Sequence, residues 1–267
     1  MFQFCAHTSA SSNSYIVKKG IEMPVIDTKH LFENTVNRDL LVRDLLLPIF
    51  TGVPPEAIQY EILQQGLMQN GKILLTLDVW ALVNHQLQQL MHVWDGPDIP
   101  IYILPIKNGF VKNGVAYQNG ICLFVSPRVT IKELHALFSH EYHHMCHRQF
   151  IKEPPTLLDS LIMEGLAEHA VEELFGEHAL SSWTKLYTMD EVKSYWQTHF
   201  VSALQIKGLH NHKPFLFGDE LVGLPPWIGY CTGYRIIQSF LEKHGPMNQI
   251  ELMKMDAFLL TEMAGFI

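Results

Sequence analysis

The pentapeptide His140-Glu141-Tyr142-His143-His144 constrains this chain more than any other stretch. Residues four apart share one face of an α-helix, so a helix here aims the imidazoles of His140 and His144 at one point, with Glu141 on the same side. One helix later the chain reads Glu164-Gly165-Leu166-Ala167-Glu168, and Glu164 is the carboxylate best placed to complete a three-ligand set. Two neutral imidazoles and a carboxylate suit Zn2+ in a tetrahedral site whose fourth position is left to water. A chain with 15 histidines can show such a pentapeptide by chance, so the flanking sequence must support it.

The flanks do support it. Thr130-Ile131-Lys132-Glu133 is a capping box and opens a helix expected to run to about Phe150. Pro154-Pro155-Thr156 opens a second helix with Thr156 as cap, closing at Gly176. Gly165 is expected where the two helices carrying the ligands approach closely. In that arrangement Glu141 accepts the proton of a zinc-activated water as it attacks a peptide carbonyl, then passes it to the departing amine. Glu168, one turn beyond Glu164, is suited to hold the free ring N–H of a metal-binding histidine, His140 being the expected one. The oxyanion formed in such an attack needs a neutral donor, for which Tyr230 and Tyr234 are the candidates. They lie four apart on an expected late helix with Gly229 and Gly233 beside them, and Tyr230 is preferred as nearer the helix start. Aromatic residues at this spacing more often pack a core. His143 and His147 read as packing or supporting residues, Cys146 as a buried thiol, and His210 and His212 as surface histidines in a loop.

The periodicity along the chain divides it near residue 96. Residues 1 to about 20 are polar, rich in Ser and without a clear period. Leu31, Leu40, Leu41 and Leu45 recur at helical spacing before Pro48, and further helices are expected over about Glu56 to Met68 and Leu77 to Trp94. After Asp95-Gly96-Pro97 come short β-branched runs, Ile99 to Leu104 and Ile121 to Val125, with turns at Asn108-Gly109, Asn113-Gly114 and Asn119-Gly120. Helices are then expected near Ser181 to Phe200 and from about Trp227 to His244, separated by a loop from Gly208 to Pro226. The expected class is α+β: a helical N-terminal region, 1–96, ahead of a catalytic domain, 97–267, with a small mixed sheet, an active-site helix and a glutamate helix.

In ligand type and spacing, His140-Glu141-x-x-His144 followed by the Glu164 to Glu168 block resembles the gluzincin metallopeptidases, the thermolysin-like group. More closely, these residues, the segment around Met163 to His169, and Trp-x-Gly-Tyr-x-x-Gly-Tyr from Trp227 to Tyr234 resemble the YjaZ-like family of predicted bacterial zinc-dependent proteases. The likeness covers about residues 95 to 267. It implies a zincin-like fold, with a sheet whose edge strand takes an extended peptide as an added strand, and leaves the substrate open.

Composition narrows the partners. A formal charge of -8 argues against nucleic acid, whose phosphates ask for a basic face. Cys5, Cys122, Cys146 and Cys231 have neither a disulfide-framework nor a metal-binding spacing, and no apolar run approaches a membrane span. The N-terminus lacks the basic start and apolar run of a secretory leader, so the cytoplasm is the expected location. Peptide or protein is then the expected substrate. One rival is a catalytically silent protein that keeps the metal site and binds peptide or a partner protein, against which Glu141 argues, since a structural site needs no general base. Another is hydrolysis of a non-peptide amide.

Overall fold

The computed structural model describes residues 24–152 and 154–267. The polar stretch from residue 1 to about 20, with Cys5, lies outside the described residues. The chain forms two compact units whose boundaries run through two of its helices.

The first unit takes the described residues up to Gln88 together with Asp98–Leu137. It holds α1 (Arg38–Leu46), α2 (Pro55–Gln64), most of α3 (Val79–Trp94) and the strands β1 (Ile101–Pro105), β2 (Lys112–Tyr117) and β3 (Gly120–Val125). The strands form a mixed sheet in the order β1-β3-β2, with β1 parallel and β2 antiparallel to β3. Tyr102, Leu104, Cys122 and Phe124 share a core with Val42, Leu46, Ile58 and Ile62 of α1 and α2. Leu31 is buried as its spacing suggests, but Leu40 and Leu41 are exposed at 37% and 49%, because α1 turns Val42 and Leu46 inward instead. Asn113-Gly114 is no turn. It lies inside β2, paired with Phe124 and Leu123, so β2 is a strand that periodicity did not reveal.

The second unit takes Gln89–Pro97 and Phe138–Ile267. The helix α4 (Ile131–Arg148) begins in the first unit and runs into the second. Its start is the expected capping box: Glu133 accepts from the Thr130 N–H at 2.9 Å, and Thr130 Oγ1 accepts from the Glu133 N–H at 3.2 Å. The helix α5 (Leu157–Phe175) starts in the same way, with Thr156 and Asp159 bonding reciprocally. Most of α5 is buried, as a helix apolar on nearly every face must be.

After α5 come α6 (Met189–Tyr195), α7 (Leu209–Phe217), α8 (Ile228–His244), α9 (Gln249–Lys254) and α10 (Ala257–Ala264). The single helix expected over Ser181 to Phe200 is broken into a 3-10 turn at Ser182–Lys185, α6, and a π-turn at Trp196–Phe200. The break comes where Thr188 and Glu191 form a further capping box that restarts the chain as helix. Much of the stretch from Gly208 to Pro226, expected as a loop, is the helix α7, which tolerates Pro214 because it buries His212 and Leu216, four apart, on one face.

Gly165 serves a different contact from the one expected. A β-carbon there would strike the backbone carbonyl of Gly233, and one on Gly233 would strike that of Leu161. The two glycines bring α5 and α8 into backbone contact, so the close approach is to α8 and not to α4.

Candidate metal centre

All the side chains of the candidate site lie in the second unit. Because α4 is regular from Ile131 through Arg148, His140 and His144 lie one turn apart, their rings edge-on at 85° with centroids 4.6 Å from each other. Glu164 of α5 faces both: its Oε2 lies 3.1 Å from Nε2 of His140 and 3.3 Å from Nε2 of His144. The three donors lie within 4.8 Å of one another. Donors at about 2.0–2.1 Å from a tetrahedral zinc ion stand roughly 3.3 Å apart, so the two measured separations fit such an ion.

Burial makes the arrangement electrostatically demanding. Glu164 is 8% exposed and Glu168 is 1% exposed, and buried carboxylates require compensation. Burial by itself raises the Glu164 carboxyl, but His144 and His140 outweigh it and hold Glu164 well below the usual carboxylate range. Burial likewise lowers His140, and Glu164 with Glu168 overcomes it, raising that imidazole well above its ordinary value. The site therefore favours positive charge between these groups, which a divalent cation supplies. Glu168 Oε2 lies 3.0 Å from His140 Nδ1, on the side of the ring away from Glu164. Its Oε1 accepts the backbone N–H of Ser181. The Nδ1 of His144 is buried without a hydrogen-bond partner among the described residues.

The remaining candidates divide. Glu141 is buried on α4, and Tyr230 at the start of α8 is near enough to feel its charge. Burial raises the Tyr230 phenol well above its ordinary value, and the charges of Glu164 and Glu141 and a hydrogen bond to Glu164 raise it further. The phenol therefore keeps its proton. Tyr234, one turn on, donates instead to Glu172 Oε2 at 2.8 Å. His212 is fully buried, not at the surface, and lies between Ser160 Oγ and the Ile206 carbonyl, each at 2.8 Å. His143 is also fully buried, edge-on to Trp94, with Nε2 3.3 Å from Gln249 Oε1. The amide of Gln249 in turn donates to Glu173 at 2.6 Å. Sequence reasoning missed Gln249, Glu173 and the Ser181 N–H, because none stands at helical spacing from the residues it serves.

Residues 79–261 match the family described as "Predicted Zn-dependent protease (DUF2268)". The chain belongs to this family. The match begins ahead of the sequence likeness at about residue 95 and takes in α3. Among relatives of this predicted zinc-dependent protease family, the uncharacterized protein YjaZ of Bacillus subtilis (strain 168) is 31% identical over 218 residues. That alignment covers 73% of this chain and 83% of YjaZ. The uncharacterized protein YjfC of the same organism is 26% identical over 175 residues, 57% of this chain and 58% of YjfC. All the candidate residues, from His140 to Tyr234, fall within the family match.

Proposed function

We propose that the chain is a zinc-dependent peptidase of the gluzincin type, with a zincin-like catalytic fold, in which His140, His144 and Glu164 hold the ion. The observation that carries this reading is the convergence of the two Nε2 atoms and the Glu164 oxygen at the spacing of a tetrahedral site. Zinc bound there supplies Lewis-acid polarisation and makes water acidic enough to be deprotonated near neutral pH. Glu141 takes the proton of the attacking water and returns it to the amine that leaves. Tyr230, close to Glu164 and keeping its proton, donates its phenolic hydrogen to the oxygen that develops negative charge. Tyr234 is the weaker candidate for that role, since its hydroxyl already serves Glu172. Glu168 keeps the Nε2 lone pair of His140 directed at the ion by holding Nδ1–H.

The substrate in this reading is peptide or protein. No described helix is long and apolar enough to cross a membrane. Cys146 and Cys231 are buried thiols, which supports a reducing compartment such as the cytoplasm. Zinc content and cleavage of an unfolded protein, measured for wild type and for Glu141→Gln, test the proposal. Both proteins should bind about one zinc and only the wild type should cleave. Zinc binding with no cleavage of a broad peptide library by the wild type would overturn the hydrolytic part.

A further inference from the structure

Four aromatic rings meet beside the candidate centre, and none of them is fully buried. Tyr230, which lies near enough to Glu164 to feel its charge, is met edge-on by Trp183 at 5.3 Å and by Trp227 at 5.2 Å, and at a tilt by Phe217 at 5.3 Å. Phe217 and Trp227 also meet at 5.3 Å. Rings that only fill a core are enclosed by it, whereas Trp227 is 40% exposed.

Trp227 carries three unfavourable features at once. It occupies the N-cap of α8, where a Ser, Thr or Asp would bond a free backbone N–H, and it makes no such bond. Its φ of 62° is left-handed, a conformation that a bulky residue rarely adopts. Its indole is open to water. The surrounding chain nonetheless fixes it there: Trp227 N–H donates to the Phe217 carbonyl at 2.8 Å, and the Tyr187 hydroxyl donates to the Pro226 carbonyl at 2.7 Å. Gly218 leaves room for the Pro225 carbonyl, which a β-carbon would strike. Strain maintained beside a candidate site in this way points to use. Trp183 is set by the site itself, since the N–H of Ser181, two residues before it, bonds Glu168.

We propose that Trp183, Phe217 and Trp227 form a subsite for one large apolar side chain of the substrate, aromatic or branched aliphatic, on a residue next to the cleaved bond. The proposal rests on the peptidase reading above. Ring faces favour burial of apolar surface over a charged or small side chain, and the Glu141 carboxylate, close enough to Tyr230 to act on it, disfavours an acidic one. Segments rich in Phe, Leu, Ile and Tyr, exposed when a protein unfolds, are the substrate class that follows.

Two measurements test it. Cleavage sites of the zinc-loaded full chain on an unfolded protein are mapped by mass spectrometry. Binding of labelled peptides differing at one position (Phe, Leu, Ala or Asp) is measured by fluorescence anisotropy on the Glu141→Gln protein, which reads the subsite without turnover. Cuts should cluster at large apolar residues, and Phe and Leu peptides should bind roughly tenfold tighter than Ala or Asp peptides. Trp227→Asn suits a left-handed N-cap, so it should fold and keep its zinc while that ratio shrinks to about threefold or less; Trp227→Phe should restore part of it. Cleavage without this preference, or a ratio unchanged in Trp227→Asn, overturns the subsite and leaves the peptidase reading standing. A binding preference that Trp227→Asn abolishes, beside a wild type that cleaves nothing, overturns hydrolysis and with it a subsite next to a cleaved bond, leaving the three rings as a peptide-binding site. Neither cleavage nor preference overturns both.

Discussion

Glu168 faces the Nδ1 side of the His140 ring. Its Oε2 stands 3.0 Å from Nδ1, which in the neutral ring must then carry the hydrogen, so the lone pair of Nε2 points towards Glu164 Oε2 at 3.1 Å. A nitrogen lone pair facing a carboxylate oxygen is unfavourable unless a cation lies between them. In the metal-free protein a proton suits that place, since Glu164 and Glu168 outweigh burial and raise His140 above its ordinary value.

Both oxygens of Glu168 accept hydrogen bonds, one from His140 and one from the Ser181 N–H, whereas an amide has a single acceptor. Glu168→Gln must therefore leave one of the two donors facing an NH2 group. The expected outcome is about 10- to 100-fold weaker zinc binding, measured by competition with a chromophoric chelator. Affinity equal to that of wild type would mean that Glu168 does not orient the ligand.

Gly165 adjoins Glu164 and faces the Gly233 carbonyl, so a methyl group at either glycine would force α5 and α8 apart through rigid backbone. Gly165→Ala and Gly233→Ala should each destabilise the protein by about 3 kcal/mol, at the upper end for overpacking, seen in urea unfolding. Gly165→Ala should also weaken zinc binding by displacing Glu164. Gly245→Ala is a useful contrast, because an added methyl there meets nothing within 4 Å and only the left-handed φ of 83° is strained.

What the sequence made legible was local. The Thr130 and Thr156 caps, the one-turn spacing of His140 and His144, and the four-residue step from Glu164 to Glu168 all follow from the geometry of one helix. What it concealed depends on distant partners. Which helix Gly165 touches is decided by Gly233, 68 residues away in sequence. The chain from Gly208 to Pro226 looked like loop because Gly and Pro punctuate it, yet burial of His212 and Leu216 outweighs those signals over nine residues of α7. Asn113-Gly114 carries a turn signature and is held extended by its pairing with β3. The four-residue step from Tyr230 to Tyr234 likewise could not show that one phenol lies by Glu164 and the other donates to Glu172.

Buried histidines should make the metal-free protein sensitive to mild acid. Burial, opposed by the Ile206 carbonyl and Asp159, pushes His212 below its ordinary value; burial and the charge of His144 push His147 down to about 3. A histidine in the unfolded chain titrates near about 6.5. Below that pH the unfolded chain binds protons that the folded one excludes, so stability falls as pH falls, by about 1.4 kcal/mol per pH unit for each such group. His140 has the opposite sign: raised in the folded state, its contribution is complete below about pH 6.5 and is lost only as pH rises through its folded value. Glu164, lowered in the folded state, contributes above the range of an ordinary carboxyl and begins to lose that contribution only below about pH 4.5. Urea unfolding of the metal-free protein at pH 6.5 and 5 isolates the histidines. His212→Asn should reduce the slope by one group's share, and a flat wild-type profile would contradict the assignment.

Gln249 ties the helix of the two histidines to the helix of the glutamate. It is 4% exposed at the start of α9, its Oε1 accepting from His143 Nε2 on α4 and its Nε2 donating to Glu173 on α5. The paired glycines hold α5 against α8, whereas Gln249 is a side-chain bridge between α4 and α5. Gln249→Leu keeps the volume and removes both bonds. It leaves the His143 Nε2–H buried without an acceptor, which should cost about 1–3 kcal/mol, while Glu173, lying nearer the surface, regains water. If the bridge sets ligand geometry, zinc affinity and the absorption spectrum of a cobalt-substituted protein should change along with stability. A variant that loses stability while its cobalt spectrum and zinc affinity match wild type would show that Gln249 supports the fold and not the metal centre.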